Sequence, residues 1–429
     1  MKRVLDVAAQ VPHCAIRAYV IGERAHEVDV SEAEIAEMSR LTRDALRAGA
    51  VGFTTSRTIL HRSRHGLVPG THCTAEKLLG IGRALGEAGH GVFEMVSDLQ
   101  GQEPDLGWMK QFCRATGRPI TFAIAQTFVA PTVWKETLAK SEELATAGLS
   151  IVPQVACRPT GLLFSLQSTF HPFFFHPTYR NQLARLPLDE RVARMRTPEM
   201  RARILDEELD TADPIVRILA TNWMQMFPLG DPPDYEPAAE HSVDAIATRE
   251  NRRPEEVAYD VLLERNGTQF LFAPLANYLD YNYDVIREML VHPRTVLGLS
   301  DGGAHCGLIC DASMPTFLLT HWARDRRRGE KLPLEHAVRL QTSNTARLYG
   351  FTDRGTLEPG KKADLNVVDW DALRLHAPEM VFDLPAGGRR LVQRVSGYEA
   401  TVVSGEVTFE NGEPTGAMPG ALLRASATG

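Results

Sequence analysis

The sequence predicts an α/β barrel with a parallel sheet, followed by a small β domain. Short apolar runs alternate with helical patterns at intervals of roughly 25 to 40 residues, and parallel neighbours need such helical crossovers because tight hairpins cannot join them. The apolar run that ends at Leu299 is followed by Ser300-Asp301-Gly302-Gly303-Ala304-His305. Reactive groups of barrels sit at strand ends, although these residue types also make ordinary turns.

Short runs rich in Val, Ile, Phe or Thr predict the strands, at 14–21, 50–55, 91–97, 119–126, 150–157, 269–275 and 295–301. Helices lie between most of them. Ser31 and Glu34 form a capping box that begins a helix ending before Gly49. Thr74 caps a second helix, which Gly89 ends. Two further helices are predicted around 106–113 and 134–144.

The alternation stops between 158 and 268, which predicts a long insertion. It contains His171-Pro-Phe-Phe-Phe-His176. These aromatic residues suit a lid over an apolar acyl group, or a hydrophobic cluster that fixes the insertion to the barrel. Glycine-punctuated β runs begin after 350. We therefore divide the chain into a barrel at 1–349 and a small β domain at 350–429.

Composition restricts the partners. The 429 residues include 47 basic and 54 acidic side chains, a net charge of −7, which gives no field that would attract nucleic acid or an anionic membrane. The sequence contains no run of 18 or more apolar residues, so no membrane span is predicted. A small-molecule substrate is the expected partner.

The cysteines and the N-terminus favour a cytoplasmic, reducing location. Six cysteines are scattered along the chain, and Met1-Lys2-Arg3 is not followed by the apolar core of a secretion signal. Cys306 and Cys310 form a C-x-x-x-C pair, which is a weak signal for a soft metal site because buried inert thiols share it.

Several motifs of the sequence resemble the amidohydrolase superfamily, and within it the D-aminoacylase, or N-acyl-D-amino-acid deacylase, branch. They are Gly52-Phe53-Thr54-Thr55-Ser56-Arg57, Ser300-Asp301-Gly302, Thr345-Ala346-Arg347, the tract from Arg354 to Leu365, the tract from Asp383 to Gly388, Val403-Ser404-Gly405, and the tract from Gly412 to Gly416. The likeness runs from about residue 10 to the end.

This resemblance implies a (β/α)₈ TIM-like barrel with a small β sandwich built from both chain ends. It also implies a zinc-type divalent metal that activates water for hydrolysis of non-peptide C–N amide bonds, with N-acyl-D-amino acids as the substrate class. Asp301 matches the last-strand aspartate of the family. We expect it to be the general base, which passes the water proton to the leaving amine, and a metal ligand.

The sequence departs from the family in ways that predict a barrel incomplete at its N-terminus. The family's His-x-His pair at the end of the first barrel strand is absent, and this chain begins at what resembles the third strand. Met1 is either the true start or an internal methionine. The fifth and sixth family strands normally end in histidines, whereas 91–97 and 119–126 contain none.

Other side chains near predicted strand ends are therefore candidates. His305, His13 and Glu94 are the candidate metal ligands beside Asp301, and each is also consistent with a structural role. Two further residues are candidate substrate contacts: Arg57 for a substrate carboxylate, with an ion pair as the competing interpretation, and His72 as a pocket-lining side chain.

Asp98 and Gln126 are weaker oxygen-ligand candidates, because a polar group at a strand end is as often a capping group. The alternative function is a catalytically inactive or truncated barrel with a binding or scaffold role. The missing histidines favour it. A first strand without its two preceding neighbours would leave an open sheet edge, which favours a homo-oligomer.

Overall fold

The computed structural model describes residues 2–63, 65–103, 105–298, 300, 302–303 and 305–425. The strands, in chain order, are β1 (Val11–Pro12), β2 (Gly52–Arg57), β3 (Arg62–Ser63), β4 (Gly66–Leu67), β5 (Val92–Ser97), β6 (Ile120–Ala123), β7 (Ile151–Val155), β8 (Gly161–Phe164), β9 (Phe227–Pro228), β10 (Leu271–Pro274), β11 (Val296–Leu297), β12 (Leu365–Val368), β13 (Arg374–Leu384), β14 (Gly388–Ser396), β15 (Tyr398–Val403), β16 (Glu406–Glu410) and β17 (Glu413–Pro414).

The helices are α1 (His13–Ile21), α2 (Glu32–Arg47), α3 (Ala75–Ala88), α4 (Asp105–Thr116), α5 (Val133–Thr146), α6 (Leu188–Met195), α7 (Pro198–Asp206), α8 (Pro214–Thr221), α9 (Val243–Glu250), α10 (Pro254–Leu263), α11 (Asp284–Val291), α12 (Met314–Phe317), α13 (Leu334–Gln341) and α14 (Ser343–Leu348). Helix α12 continues into a π-helical segment at Leu318–Asp325. Within the described residues, no helix combines the length and the apolar character needed to cross a bilayer.

The caps predicted from the sequence are present. Ser31 Oγ accepts the amide of Glu34 at 3.3 Å, and the Glu34 carboxylate accepts the amide of Ser31 at 2.8 Å, so α2 begins with a reciprocal capping box. Thr74 accepts the amide of Lys77 at the start of α3. Gly89 ends α3 in the left-handed region, at φ +74°, which glycine adopts without the cost a side chain would add.

A parallel sheet forms the barrel. Its strand order among the described residues is β1-β2-β5-β6-β7-β11, and every pairing is parallel. Phe53 and Phe93 lie fully buried between this sheet and the helices, 5.2 Å apart between ring centroids. The fold is therefore a TIM-like barrel with six described parallel strands, which confirms the predicted fold class.

The predicted strand at 14–21 is wrong, because these residues form α1. His13, Arg17 and Ile21 are buried and follow one another at intervals of four, so they occupy one face of a helix. Of this part of the chain, the described residues that pair with β2 are Val11 and Pro12. The edge strand of the sheet is therefore two residues long.

The predicted strand at 269–275 exists as Leu271–Pro274 but belongs to another sheet. Strands β8, β10 and β9 form a separate antiparallel sheet, in which Leu271 pairs with Phe164. This sheet packs with the helices of the insertion around a second apolar core. Phe173 lies in that core, 1% exposed, with its ring 5.3 Å from that of Tyr259, so it packs inside the insertion's own core. A role of the aromatic stretch in fixing the insertion to the barrel stays a prediction.

The C-terminal strands form a small β unit that also holds the N-terminal segment. One sheet has the order β12-β15-β16-β17, and β13 pairs with β14 in a long hairpin. Residues at both chain ends form parallel bridges, Arg3 with Pro419 and Val7 with Leu422. This agrees with the expectation that both ends contribute to the β unit, while its boundary at 349 and 350 stays a prediction.

Asp6 joins the two ends, and this predicts an acid-sensitive contact. Its carboxylate accepts hydrogen bonds from Lys362, from Arg354 at 2.9 Å and from the amide of Ala421 at 2.8 Å. Burial raises the pKa of Asp6, but the hydrogen bonds from Lys362 and Arg354 outweigh it, so the pKa falls from 3.8 to about 2. An acid whose pKa is lowered on folding stabilises the fold above its unfolded pKa.

We expect this stabilisation to disappear as the pH falls from 3.8 towards about 2. Urea unfolding at neutral pH and across that interval tests it: Asp6→Asn should be less stable than the wild type at neutral pH and should lose less on acidification. Asp371→Asn, at an exposed position after β12, is the control and should follow the wild type. Equal pH profiles for Asp6→Asn and wild type would contradict the assignment.

Candidate active site

Glu94 points into the barrel. The ring of its neighbour Phe93 packs against Phe112 of α4, at 5.1 Å between centroids, so Phe93 faces the helix layer. Successive side chains of a strand lie on opposite faces of the sheet, and Glu94 therefore faces the interior. It pairs in register with Thr54 of β2 and Thr121 of β6.

Three neutral side chains hold the Glu94 carboxylate. Gln10 donates to one carboxylate oxygen, the Tyr349 hydroxyl donates to the same oxygen at 2.8 Å, and Gln154 Nε2 donates to the other at 3.0 Å. Burial and the Glu94 charge both raise the pKa of Tyr349, which keeps its hydroxyl a donor. The carboxylate is thus fixed by groups that are poor metal ligands.

His13 does not meet Glu94. Its Nδ1 lies 2.9 Å from Thr55 Oγ1, and Thr55 lies on the face of β2 opposite to Thr54, which is in register with Glu94. The His13 side chain is 1% exposed. Burial, and secondly the nearby Arg17 charge, lower its pKa to about 4. His13 therefore lies on the helix side of the sheet, so the two candidate ligands are not brought together.

The two candidate substrate contacts, Arg57 and His72, lie apart from Glu94. The Arg57 guanidinium donates to the carbonyl of Cys73 at 2.6 Å and lies 3.1 Å from the Asp105 carboxylate. Asp105 is fully buried and also accepts from Ser97. Arg57 is therefore in an ion pair, the competing interpretation, and its substrate role stays a prediction. His72 is exposed on the loop before α3.

The segment after β11 carries the strongest sequence candidate, but Asp301 lies outside the described residues. Its neighbour Ser300 is described, and Ser300 Oγ donates to the Asp311 carbonyl at 2.9 Å. His305 is exposed at φ +50°, and its carbonyl accepts the amide of Leu308 at 2.7 Å. The roles of Asp301 and His305 remain predictions.

The two weaker oxygen-ligand candidates, Asp98 and Gln126, form hydrogen bonds with loop residues. An Asp98 oxygen accepts the amide of Ile59 at 2.9 Å. The side-chain Nε2 of Gln126 donates to Asp280 at 3.0 Å, and its backbone N–H donates to the side-chain oxygen of Asn277 at 2.6 Å. Both side chains therefore connect strand ends to neighbouring loops, the capping role considered for them.

The sequence did not identify Arg158, a buried arginine three residues after β7. Its Nη2 donates to the Cys310 carbonyl at 2.7 Å and to Ser313 Oγ at 3.2 Å, and it lies 3.4 Å from the Asp311 carboxylate. The guanidinium carbon lies 4.0 Å from the Tyr235 ring centroid. Arg158 is 2% exposed. The sequence signal that could have identified Arg158 was a charged residue three positions after a buried strand.

The Arg158 contacts reach the segment that precedes Asp301. Arg158 holds the backbone and side chain around Asp311, and the Asp311 carbonyl in turn accepts the hydroxyl of Ser300. This chain of contacts fixes the end of β11 from the neighbouring strand β7. The hairpin of β13 and β14 also contacts this segment, because the Ser313 hydroxyl donates to the side chain of Gln393 in β14.

The described residues do not fit the divalent metal that the family implies. Across the part of the chain that the structure describes, no three His, Cys, Asp or Glu side chains come together as a metal site. Glu94 accepts three hydrogen bonds from neutral donors, and His13 faces the helices. The six cysteines are free, and burial raises the pKa of the Cys310 thiol to about 11.

A parallel barrel joined to a small β unit, with polar side chains at the strand ends, is the architecture of barrel-fold hydrolases. The chain belongs to the amidohydrolase family, whose family model matches residues 2–409. This agrees with the resemblance found in the sequence.

Solved structures of a D-aminoacylase share this fold. One, described as defining a novel subset of amidohydrolases, aligns with a TM-score of 0.57 at 20% identity, covering 98% of this chain and 72% of that chain. An aspartate-to-alanine variant in complex with copper chloride aligns with a TM-score of 0.59 at 19% identity and the same coverage. At these identities the likeness establishes the fold.

Sequence relatives include one protein that matches most of this chain and one that matches a fifth of it. An allantoinase of Streptomyces avermitilis is 34% identical over 94 residues, which is 21% of this chain and 19% of that protein. An uncharacterised protein of Mycobacterium tuberculosis strain H37Rv is 24% identical over 439 aligned positions, covering 95% of this chain and 69% of that protein. The chain thus spans about a fifth of one relative and about two thirds of the other.

Proposed function

We propose that the protein hydrolyses the amide bond of small N-acyl amino acids, in the manner of an N-acyl-D-amino-acid deacylase. The observation that carries this proposal is the family match over residues 2–409. The shared fold with D-aminoacylase directs the choice of substrate class. The proposed partner is accordingly a small molecule, and a cytoplasmic homo-oligomer is part of the same proposal.

In this proposal Asp301 takes the proton of the attacking water and delivers it to the leaving amine. In barrel enzymes catalytic residues come from the ends of strands, and a carboxylate can serve there as a general base. Ser300, the preceding residue, is held by the Asp311 carbonyl and so limits how far this segment can move. Zinc-type metal chemistry belongs to the family, but the described residues do not form its site.

The second candidate function is a barrel that binds a ligand without catalysis. The lack of a metal cluster among the described residues, together with the Glu94 carboxylate held by Gln10, Gln154 and Tyr349, favours it. Three of the roughly four acceptor positions of this carboxylate are taken by neutral donors, which leaves it few positions for a cation.

The test combines metal content with a substrate panel. The purified protein, prepared without chelator, is analysed for bound metal and assayed with N-acetyl-D-amino acids bearing acidic, apolar and basic side chains. Their L-enantiomers are the matched controls. Release of free amino acid from the D-series supports the deacylase proposal. A folded protein that contains no metal and cleaves none of the panel, before or after zinc addition, contradicts it and favours the binding role.

A further inference from the structure

Large apolar side chains are exposed on three neighbouring loops at one end of the barrel. Ile59 and Leu60 follow β2, Leu99 follows β5, and Phe128 and Val129 follow β6; we call these five residues the apolar rim. Strands β2, β5 and β6 are adjacent and parallel, so the loops after them lie side by side at the carboxyl end of the sheet. In barrel enzymes this end holds the active site.

Hydrogen bonds connect the three loops of the apolar rim. The Asp98 carboxylate accepts the amide of Ile59 at 2.9 Å, which joins the first loop to the second. The side-chain oxygen of Gln100 accepts the amide of Ala125 at 2.8 Å, which joins the second loop to the third. Gln100 is itself buried. The rim residues are therefore carried by loops that are bonded to one another.

The loop after β6 presents the most exposed residues of the rim. Phe128 and Val129 occupy the two central positions of a tight turn, in which the amide of Ala130 donates to the Thr127 carbonyl at 3.1 Å. Their exposed fractions are 68% and 77%. Polar residues and glycine dominate turns, and apolar side chains that are exposed together mark binding sites. Burial of these two side chains against an apolar ligand is favourable because it removes their surface from water.

The segments that carry the rim are uncharged. No Asp, Glu, Lys or Arg occurs in residues 58–60, 99–102 and 121–134. The flanking arginines have other partners, since Arg57 pairs with Asp105 at 3.1 Å and Arg62 lies 3.6 Å from Asp213. An anionic lipid headgroup or a nucleic acid would find no cation within these three segments. The rim therefore suits an uncharged, apolar group.

The rim lies at the same end of the sheet as the segment that carries the proposed general base. Strand β11 runs parallel to β7 within this sheet, so Ser300, which follows β11, is at the carboxyl end as well. Asp301 is the next residue of the sequence. The apolar rim therefore forms part of the entrance that a substrate of this site would use.

We propose that the apolar rim binds the acyl chain of the substrate, and that this chain is an unbranched alkyl group longer than acetyl. The inference rests on the proposed function, because it names the substrate class of that site. Contact with the rim removes the alkyl chain and the side chains of Phe128 and Val129 from water, which supplies binding energy remote from the amide bond. A long-chain N-acyl-D-amino acid is accordingly the preferred substrate.

Kinetics of the whole chain with N-acetyl-, N-butanoyl-, N-hexanoyl- and N-octanoyl-D-alanine test this preference. We expect kcat/KM to rise by about twofold to fourfold per added methylene group, the scale of its transfer out of water, until the chain extends beyond the rim. Phe128→Ser and Val129→Ser should each reduce the ratio of kcat/KM between the octanoyl and acetyl compounds by at least about threefold. Leu357→Ser, at a position 77% exposed before β12, is the matched control and should keep the wild-type ratio.

Equal or falling kcat/KM values along the series in an active wild type would overturn the rim inference and leave the proposed function standing. If no compound is hydrolysed, the proposed function fails, and titration calorimetry of the acetyl and octanoyl compounds decides the inference. Tighter binding of the octanoyl compound that Phe128→Ser abolishes would support the subsite. Equal binding, no binding, or a preference unchanged in folded Phe128→Ser would overturn it.

Gel filtration of the same variants covers a second copy of the chain as the occupant of the rim. A wild-type dimer that Phe128→Ser converts to a monomer, with an unchanged ratio between the octanoyl and acetyl compounds, would overturn the inference. The rim would then be an interface between copies of the chain. A ratio that falls in Phe128→Ser while the elution volume stays the same supports the acyl-chain subsite.

Discussion

Replacing Asp301 with asparagine is expected to lower kcat for hydrolysis of an N-acyl-D-amino acid by at least about a hundredfold, the usual scale for loss of a general base. Asparagine has the shape of aspartate but cannot accept the proton of the attacking water. Since the substitution is isosteric, the thermal midpoint should stay within a degree or so of the wild type, the range of a neutral surface change. Steady-state kinetics and thermal unfolding of the same preparations provide both values.

The control is Asp189→Asn, at an exposed position in the first turn of α6, which should retain wild-type kcat. The pH profile separates a base from a merely structural residue, because the acid limb of kcat reports the pKa of the essential base. Activity of Asp301→Asn near the wild-type level would remove this residue from the mechanism. A wild type inactive on every acyl amino acid would instead support the binding role.

The second large effect is expected from Arg158→Met, which should destabilise the fold by about 3–5 kcal/mol. Methionine fills a similar length of apolar space, but it leaves the Asp311 carboxylate, 2% exposed, without the guanidinium that lies 3.4 Å away. The contact of the guanidinium with the Tyr235 ring is lost as well. Urea unfolding at neutral pH measures the change in free energy.

Arg180→Met is the matched control. Arg180 pairs with Asp210 on the surface, where the two side chains are 43% and 58% exposed, so its loss should cost less than about 1 kcal/mol. The double variant Arg158→Met with Asp311→Leu should regain part of the lost stability, because it removes the buried carboxylate too. Equal losses in the free energy of unfolding for Arg158→Met and Arg180→Met would show that the buried pair stabilises the fold no more than the surface pair does.

Local signals in the sequence predicted the helices of the barrel well. The capping box at Ser31 and the cap at Thr74 place the starts of α2 and α3, and Gly89 places the end of α3. Each of these signals depends on residues within one turn of each other, so no distant contact is needed to interpret it. The alternation of apolar runs and helices likewise predicted the parallel sheet.

The error at 14–21 shows where local reasoning fails. Cys14 to Ile21 is a short apolar run, and periodicity alone does not separate a buried strand from a buried helix in such a run. The distinguishing signal was polar: His13 and Arg17 are four residues apart and both are buried. The strand prediction instead placed His13 beside a strand end, as a candidate metal ligand, and so missed the helical face.

The candidate site was only partly predictable because its contacts join distant segments. The strand-end position singled out Glu94, but its partners Gln10, Gln154 and Tyr349 lie 84, 60 and 255 residues away in the chain. The Arg158 and Asp311 pair spans 153 residues. The resemblance to a known family supplied Asp301 without reference to any of these contacts.

The C-terminal hairpin has a consequence for the order in which the chain folds during synthesis. The backbone of Leu391 donates to Cys306 at 2.6 Å, and Arg389 donates to Gln167 at 2.7 Å across 222 positions of sequence. Contacts between such distant residues form late, because a long loop must close first. We therefore expect Cys306 to reach its final packing only after β14 has left the ribosome. A nascent chain stopped before the hairpin would contain the helices of the barrel but would lack the contacts that Leu391 and Arg389 make with Cys306 and Gln167.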